Sequence, residues 1–207
     1  MIAAGDYAGG LTIDDKNLTL EGQNDGVWNL TSGEPAITVK GTSQAIIRDF
    51  SLPADSRKGL RVHEDSGANA TFEDCTVNAR NDGDHGGGLK VENSTTATVR
   101  NCTFSNNDIG TQKDGGAILV KGSASLTVEN STFTGNKGRD GGAIRVEDTA
   151  TASISGSTFT NNSADTEGGA IHNASTAASS LVITDSTFNG DFANTSGGAI
   201  YLSLIHI

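Results

Sequence analysis

The chain has 207 residues, enough for one domain with a substantial core, and it combines 27 Gly with two Pro and one Trp. Its formal net charge of -11 disfavours binding to nucleic acid or to an anionic membrane surface, and fits a solvated extracellular protein or a cation binder. No segment has the length and apolarity of a membrane span, and no signal peptide is visible at the first residues.

The predicted strands begin in AAGDYAGGLTIDDKNLTLEG (3–22), and the same pattern returns every 23 to 29 residues. Aligned copies place apolar residues in three columns, and each column predicts one short strand per copy with alternating inward and outward side chains. The first column, after each glycine pair, contains Leu11, Ile37, Leu60, Leu89, Ile118, Ile144, Ile171 and Ile200. The second contains Leu20, Ile47, Phe72, Val99, Val128, Ile154 and Ile183, and the third contains Leu52, Val77, Phe104, Phe133, Phe159 and Phe188.

Each copy also has predicted corners. Two positions after the second column stands Asp, Asn or Gly, the residues that best tolerate a left-handed backbone: Asp49, Asp74, Asn101, Asn130, Gly156 and Asp185. We predict a second corner at each glycine pair. The segment between residues 136 and 141, with its equivalents, varies in length and is therefore predicted to be a loop.

These columns predict an all-β protein, a right-handed parallel β-helix with three short strands per coil and about seven coils. Residues 1–201 are predicted to form this single domain, without a cap at one or both ends. A helical solenoid would need an apolar stripe of period 3.6, which these segments lack. A β-propeller would need about 40 residues per blade, more than this repeat provides.

Two motifs in the second half resemble the repeat of the polymorphic outer membrane proteins. They are Gly-Gly-Ala-Ile (115–118, 141–144, 168–171, 197–200) and Phe-x-x-Asn (104–107, 133–136, 159–162). The opening coils look like those of the wider pectate-lyase-like superfamily. The resemblance implies a β-helix presented outside a bacterial cell and a role in adhesion.

An acidic column before the glycine pairs suggests a metal site. It contains His85, Asp114, Asp140, Glu167 and Ser196. In register, the carboxylates of Asp114, Asp140 and Glu167 would lie about one coil apart and repel one another, and a bound Ca²⁺ would relieve the repulsion. Alternatively, the loops extend outward and water screens the charges.

The outward column of the strand after each glycine pair is mixed basic and aromatic. It contains Arg61, Lys90, Leu119, Arg145, His172 and Tyr201. Polysaccharide lyases of the resembled superfamily are understood to pair calcium-held carboxylates with a basic residue, and that comparison selects Arg145 beside Asp140. Two observations argue against a catalytic role for this pair. Leu119 interrupts the basic row, and charged residues on the outside of a solenoid are usually solvated.

Three further columns are assigned structural roles. Thr76, Thr103, Thr132, Thr158 and Thr187 form an outward row that resembles the arrays of ice-binding β-helices, although threonine also simply suits an outward strand position. Cys75 and Cys102 are predicted to be buried free thiols in neighbouring coils, although a disulfide is conceivable at that spacing. Asn107, Asn136 and Asn162 are predicted to form an amide ladder.

The residues after position 201 break the repeat. LSLIHI (202–207) is apolar and uncharged, and we interpret it as a non-native or truncated tail.

Taken together, the repeats and the resemblance predict a non-catalytic, cell-surface or secreted bacterial β-helix segment whose partner is a host-surface protein or polysaccharide. The alternative is a polysaccharide lyase or carbohydrate-binding module of the pectate-lyase-like class, with Ca²⁺. Uncapped ends also predict self-association.

Overall fold

A computed structural model describes residues 5–7, 10–22, 28–30, 35–52, 59–63, 67–78 and 86–203. Within these ranges the regular structure consists of β-strands, and every pairing between them is parallel. Because consecutive strands fall in different sheets and each pairs with its counterpart in the next repeat, the chain winds as a β-helix. The prediction of an all-β parallel solenoid is confirmed.

Three long sheets form the walls of the coil. Sheet 1 contains the residues of the first column, in the strands Leu11–Asp14, Ile37–Lys40, Leu60–Val62, Leu89–Val91, Ile118–Val120, Ile144–Val146, Ile171–Asn173 and Ile200–Leu202. Sheet 2 contains Asn17–Glu21, Gln44–Arg48, Asn69–Glu73, Thr96–Arg100, Ser125–Glu129, Thr151–Ser155 and Leu181–Thr184. Sheet 3 contains Ser51–Leu52, Thr76–Val77, Thr103–Ser105, Thr132–Thr134, Thr158–Thr160 and Thr187–Asn189.

Two small sheets were not predicted. Lys137–Gly138, Ser163–Ala164 and Phe192–Ala193 pair in successive coils, so part of the predicted variable loop is a fourth short wall. Gly5–Tyr7 pairs with Trp28–Leu30 near the N-terminus. Six coils have all three long walls within the described residues, with a partial coil at each side, close to the predicted seven.

The three predicted apolar columns are in register. Leu89 pairs with Leu60 and with Ile118 in sheet 1, and the second and third columns pair in the same one-to-one manner. Inward positions are buried and outward positions are more exposed, as the alternating pattern of Thr96–Arg100 shows. These stacked columns form one continuous core.

The third column forms a stack of aromatic rings. The ring centroids of Phe104 and Phe133 are 5.2 Å apart, and those of Phe133 and Phe159 are 4.8 Å apart with an interplanar angle of 5°. Phe188 extends the stack at 4.8 Å from Phe159. Offset stacking of this kind adds to the stability gained from burying each ring.

The predicted corners have the predicted backbone conformation. Asn101 and Asn130 have φ values of 54° and 48°, and the remaining members of that column are also left-handed. From Gly86 onward the first glycine of each pair is left-handed too, for example Gly141 at 65°. A third left-handed corner, missed in the sequence, follows sheet 3 at Asn106, Gly135, Asn161 and Gly190.

Two predicted ladders lie inside the coil. The side-chain amide of Asn107 donates to Oδ1 of Asn136 at 2.7 Å, and that of Asn136 donates to Oδ1 of Asn162 at 2.9 Å, which confirms the amide ladder. Cys75 and Cys102 are both buried and free, as predicted, and the backbone N–H of Cys75 lies 3.4 Å from Sγ of Cys102. The contact with Cys102 raises the pKa of the Cys75 thiol, and burial raises it further.

The end of the described chain enters the predicted tail. Leu202 pairs with Asn173, and the backbone N–H of Ser203 donates to the carbonyl of Asn173 at 3.0 Å. Residues 204–207, including His206, lie outside the described residues. The division into a domain at 1–201 and a tail stays a prediction.

Candidate functional site

The mixed basic column on sheet 1 is in register but largely covered. Arg61, Lys90, Leu119, Arg145, His172 and Tyr201 pair in succession along the sheet. Lys90, Leu119 and His172 are nevertheless buried. A glycine corner lies directly over this face, since a Cβ atom on Gly86 would be 3.0 Å from Cβ of Leu119. The column is therefore a half-enclosed layer between sheet 1 and its preceding corners, rather than an open row.

The acidic column lies along those corners. The backbone N–H of Gly115 donates to the carbonyl of Asp140 at 2.9 Å, and the N–H of Gly141 donates to that of Glu167 at 2.9 Å. In the same way, the backbone N–H of Gly86, in the preceding corner, donates to the carbonyl of Asp114 at 3.1 Å. The three candidate metal ligands therefore stand on successive coils, while His85 lies outside the described residues.

Asp114 is held by an arginine of the next coil. The guanidinium of Arg139 donates from Nε to Oδ1 of Asp114 at 2.9 Å and from Nη2 to Oδ2 at 2.8 Å. Asp114 is buried, so this bidentate pair satisfies a carboxylate that has little access to water. Both of its oxygens face a cation that belongs to the chain.

Asp140 lies at the centre of a chain of ion pairs. Nη1 of Arg145 donates to its Oδ2 at 2.7 Å, and Nε of Arg139 lies 3.5 Å from the same oxygen. Nε of Arg145 lies 3.5 Å from a carboxylate oxygen of Glu147. The two residues selected for a catalytic role, Arg145 and Asp140, are thus in direct contact.

His172 completes this cluster from the adjacent strand. Its Nδ1 lies 3.1 Å from Nη1 of Arg145, and its ring packs edge-on against Tyr201 with centroids 5.0 Å apart. Burial lowers the pKa of His172 to about 4, assisted by the positive charge of Arg145, so the imidazole is neutral at neutral pH.

One group of potential metal ligands is found within the described part of the chain. Asp140, Glu167 and His172 each bring one ligand atom within 4.8 Å of the others. Two of these three are members of the predicted acidic column, and Asp114 is not among them. His172 was placed in the sequence only as an outward strand residue, and Arg139 lies in the variable loop, so no column pattern indicated either contact.

A second charged cluster lies on the same layer towards the N-terminus. Glu92 is buried and contacts Arg61 at 2.7 Å, Lys90 at 3.2 Å and Lys121 at 3.3 Å. Burial alone would raise the pKa of Glu92, but the surrounding cations lower it overall. Every partner lies on sheet 1 or directly after it, so this cluster joins three consecutive coils.

The outer face of sheet 2 carries a different kind of candidate site. A shallow depression of about 530 Å³ crosses its first three coils. It is lined by Asn17, Leu18, Thr19, Gln44, Ala45, Ile46, Asn69 and Thr71. Carboxamide and hydroxyl groups predominate among these side chains, so the depression offers donors and acceptors without a net charge.

Comparison with protein families identifies the architecture. The model for the right handed beta helix region matches residues 35–204. The chain belongs to the right-handed β-helix family. The predicted hand and superfamily are thereby confirmed, and domains of this family are often secreted or surface-associated. Searches of characterised proteins and of solved structures give no significant match. Among the residues described, this β-helix has no helix long and apolar enough to cross a membrane.

Proposed function

We propose that this β-helix is part of a non-catalytic, cell-surface or secreted bacterial protein, and that it presents the outer face of sheet 2 for adhesion. The observation that carries the proposal is the regularity of that face over successive coils. Its polar rows and its uncharged depression lie on a wall whose core side is fully occupied by the apolar stack. The motifs similar to polymorphic outer membrane protein repeats support the same role.

A charged row gives this face a repeating pattern. Glu21, Arg48, Glu73, Arg100 and Glu129 occupy equivalent positions in five successive coils. Arg100 donates to Glu73 and to Glu129, each at 2.7 Å, and hydrogen bonds from Arg48 lower the pKa of Glu73. Because the signs alternate, the row pairs internally and leaves no strong net field that would select a highly charged ligand.

The depression beside this row favours an extended polar ligand. Strands of neighbouring coils are roughly 4.8 Å apart, so three coils offer a groove on the order of 10 Å along the axis. The amides of Asn17, Gln44 and Asn69 stand in register at one edge of it. Such rows suit the hydroxyl and carbonyl groups of a polysaccharide or of an extended protein segment on an opposing surface.

Binding measurements with matched variants test the proposal. The purified chain is applied to a glycan array and to immobilised host-surface proteins, and hits are measured by surface plasmon resonance. Asn69→Arg and Thr71→Arg place a long cation in the depression and should abolish binding. Thr160→Arg, on the outer face of sheet 3, is the control and should bind like the original chain. Equal binding by all three variants would refute a role for this face.

A polysaccharide lyase is the second candidate, and the contact of Arg145 with Asp140 at 2.7 Å is the observation that favours it. In that mechanism Arg145 would leave Asp140 and lose its own proton to solvent before it accepts the proton from the sugar, and Ca²⁺ near Asp140 and Glu167 would hold the carboxylate of the sugar. Release of unsaturated products from polygalacturonate, with and without Ca²⁺, is the direct assay. Activity that disappears in Arg145→Gln would establish the enzyme and overturn the adhesion proposal.

A further inference from the structure

We propose that Asp140, Glu167 and His172 form a binding site for one divalent transition-metal ion of the zinc class, and that this ion joins two consecutive coils. The site is independent of the adhesive face, which lies on sheet 2. It also differs in composition from the all-carboxylate calcium set expected from the sequence, because an imidazole replaces Asp114.

The fold brings the three ligands together from two coils. Asp140 precedes one glycine pair, Glu167 precedes the next, and His172 lies in the strand that follows Glu167. Nε2 of His172 is 3.9 Å from Oε2 of Glu167, and the ligand atoms of the three residues all lie within 4.8 Å of one another. Ligand atoms around a zinc ion at about 2.0–2.2 Å are separated by roughly 3–4 Å, so small side-chain movements suffice.

The orphaned polar atoms point to a missing partner. The side chain of His172 is only 4% exposed, and its Nε2 has no hydrogen-bond partner among the described residues. Oδ1 of Asp140 is likewise buried and unpartnered there. Buried polar groups without partners are rare and costly. An ion that accepts an electron pair from Oδ1 of Asp140 and, once the ring proton has moved to Nδ1, from Nε2 of His172 would satisfy both atoms.

The charge balance of the cluster also favours a divalent cation. The connected ion pairs and Glu167 include four carboxylates, those of Asp114, Asp140, Glu147 and Glu167. Two guanidinium groups, those of Arg139 and Arg145, oppose them. With a neutral imidazole, the formal excess is two negative charges, which one divalent ion would neutralise.

Metal binding requires one rearrangement, at Arg145. A guanidinium only donates hydrogen bonds, so Nδ1 of His172 accepts from Arg145 and the proton of the neutral ring resides on Nε2. When the ion takes Nε2, that proton is lost to solvent, and Nδ1 is protonated in its place. The guanidinium of Arg145 must then move away from Nδ1 of His172. The carboxylate of Glu147, 3.5 Å from Nε of Arg145, is available to bind the displaced guanidinium.

The donor set distinguishes the proposed ion from calcium. Ca²⁺ prefers six to eight oxygen ligands, whereas zinc readily accepts one imidazole nitrogen with carboxylates and a water molecule. Both oxygens of Asp114 already bind Arg139, so the preceding carboxylate of the acidic column is not free to replace His172.

The test is titration of the intact chain, carrying Cys75→Ser and Cys102→Ser to remove thiol ligands, with ZnCl₂ and separately with CaCl₂. Serine occupies the same inward position in later coils, at Ser131 and Ser157, so these changes preserve the fold. Isothermal titration calorimetry should give one zinc ion per chain, and the melting temperature should rise with zinc. His172→Gln and Glu167→Gln should each weaken zinc binding by at least about tenfold.

Two variants make the outcome decisive. Asp114→Asn removes one charge of the cluster but no ligand, so it should weaken zinc binding less than either ligand variant does. Arg145→Gln should leave the zinc affinity equal or make it tighter, because a competing cation is removed. The proposal is overturned if zinc does not bind, or if neither ligand variant weakens it. A calcium affinity that is lost in Asp114→Asn would instead establish the oxygen-only site. If His172→Gln is unfolded by circular dichroism, the Glu167→Gln and Arg145→Gln results decide.

Discussion

The side-chain amide of Asn162 donates to Oδ1 of Asp191 at 2.8 Å, so a carboxylate occupies the last described rung of the asparagine ladder. In earlier rungs the amide nitrogen donates to a backbone carbonyl, as Asn136 does to Phe104 and Asn162 does to Phe133, each at 3.0 Å. Asp191 has no N–H to donate in this way. Its Oδ2 is buried without a partner in the described structure, and burial raises its pKa.

Asp191→Asn should stabilise the protein at neutral pH. The substituted amide keeps the acceptor for Asn162 and supplies the donor that the other rungs have, so we expect a gain of about 1 kcal/mol in the free energy of unfolding. Urea unfolding at pH 7, compared with the original chain, measures it. Asn189→Ala is the control. Asn189 is an exposed, outward-facing residue of the sheet 3 strand Thr187–Asn189, so this change should alter stability little.

The same residue should produce a pH dependence of known sign. The native pKa of Asp191 is above its ordinary value of 3.8, so the native state holds its proton more tightly than the unfolded state. Stability therefore falls as the pH rises from about 3.8 through the native pKa, and stays lower above it. The difference in unfolding free energy between the original chain and Asp191→Asn should grow over that interval. A constant difference from pH 3 to pH 7 would contradict this account.

Phe133→Ala should be strongly destabilising. The ring is fully buried between Phe104 and Phe159, and its removal leaves a cavity within the stack. The expected loss is about 3–5 kcal/mol, seen as a lower melting temperature in calorimetry. Phe192→Ala removes the same group from a side chain that is 58% exposed and should cost far less. Equal losses for the two variants would show that the stack does not carry this energy.

Most of the fold could be predicted because its requirements recur in every coil. Each turn needs an inward apolar residue at the same places, and each corner needs a residue that tolerates positive φ, such as Asn130 at 48°. Asn136 could be assigned to a ladder for the same reason. Because these requirements come from the backbone and the core, equivalent positions in successive coils have the same residue type.

The site could be predicted only in part, because its contacts cross between columns. Arg139 lies in the loop of variable length, where the copies share no residue type, yet it binds Asp114. His172 looked like a solvated outward residue, but the covering corners bury it. The fourth wall was missed for a related reason, since its strands Lys137–Gly138 and Phe192–Ala193 have no common side chain. Such features depend on how the loops pack, and the alternation of apolar and polar residues along a strand does not predict loop packing.

The glycine pairs provide the last prediction, because their second member approaches the next coil closely, whereas Gly110, which lies outside the pairs, has only a positive φ. A Cβ atom on Gly142 would lie 2.1 Å from the carbonyl oxygen of Gly169 and 2.5 Å from that of Ser163, so the backbones of adjacent coils would have to separate. We expect Gly142→Ala to cost near the upper end of about 1–3 kcal/mol in unfolding free energy. Gly110 has a positive φ of 75° but nothing within 4 Å of an added Cβ, so Gly110→Ala should cost only about 1 kcal/mol of backbone strain. Chemical unfolding of both variants separates the two effects, and an equal cost would mean that close coil approach does not limit the second position of the pair.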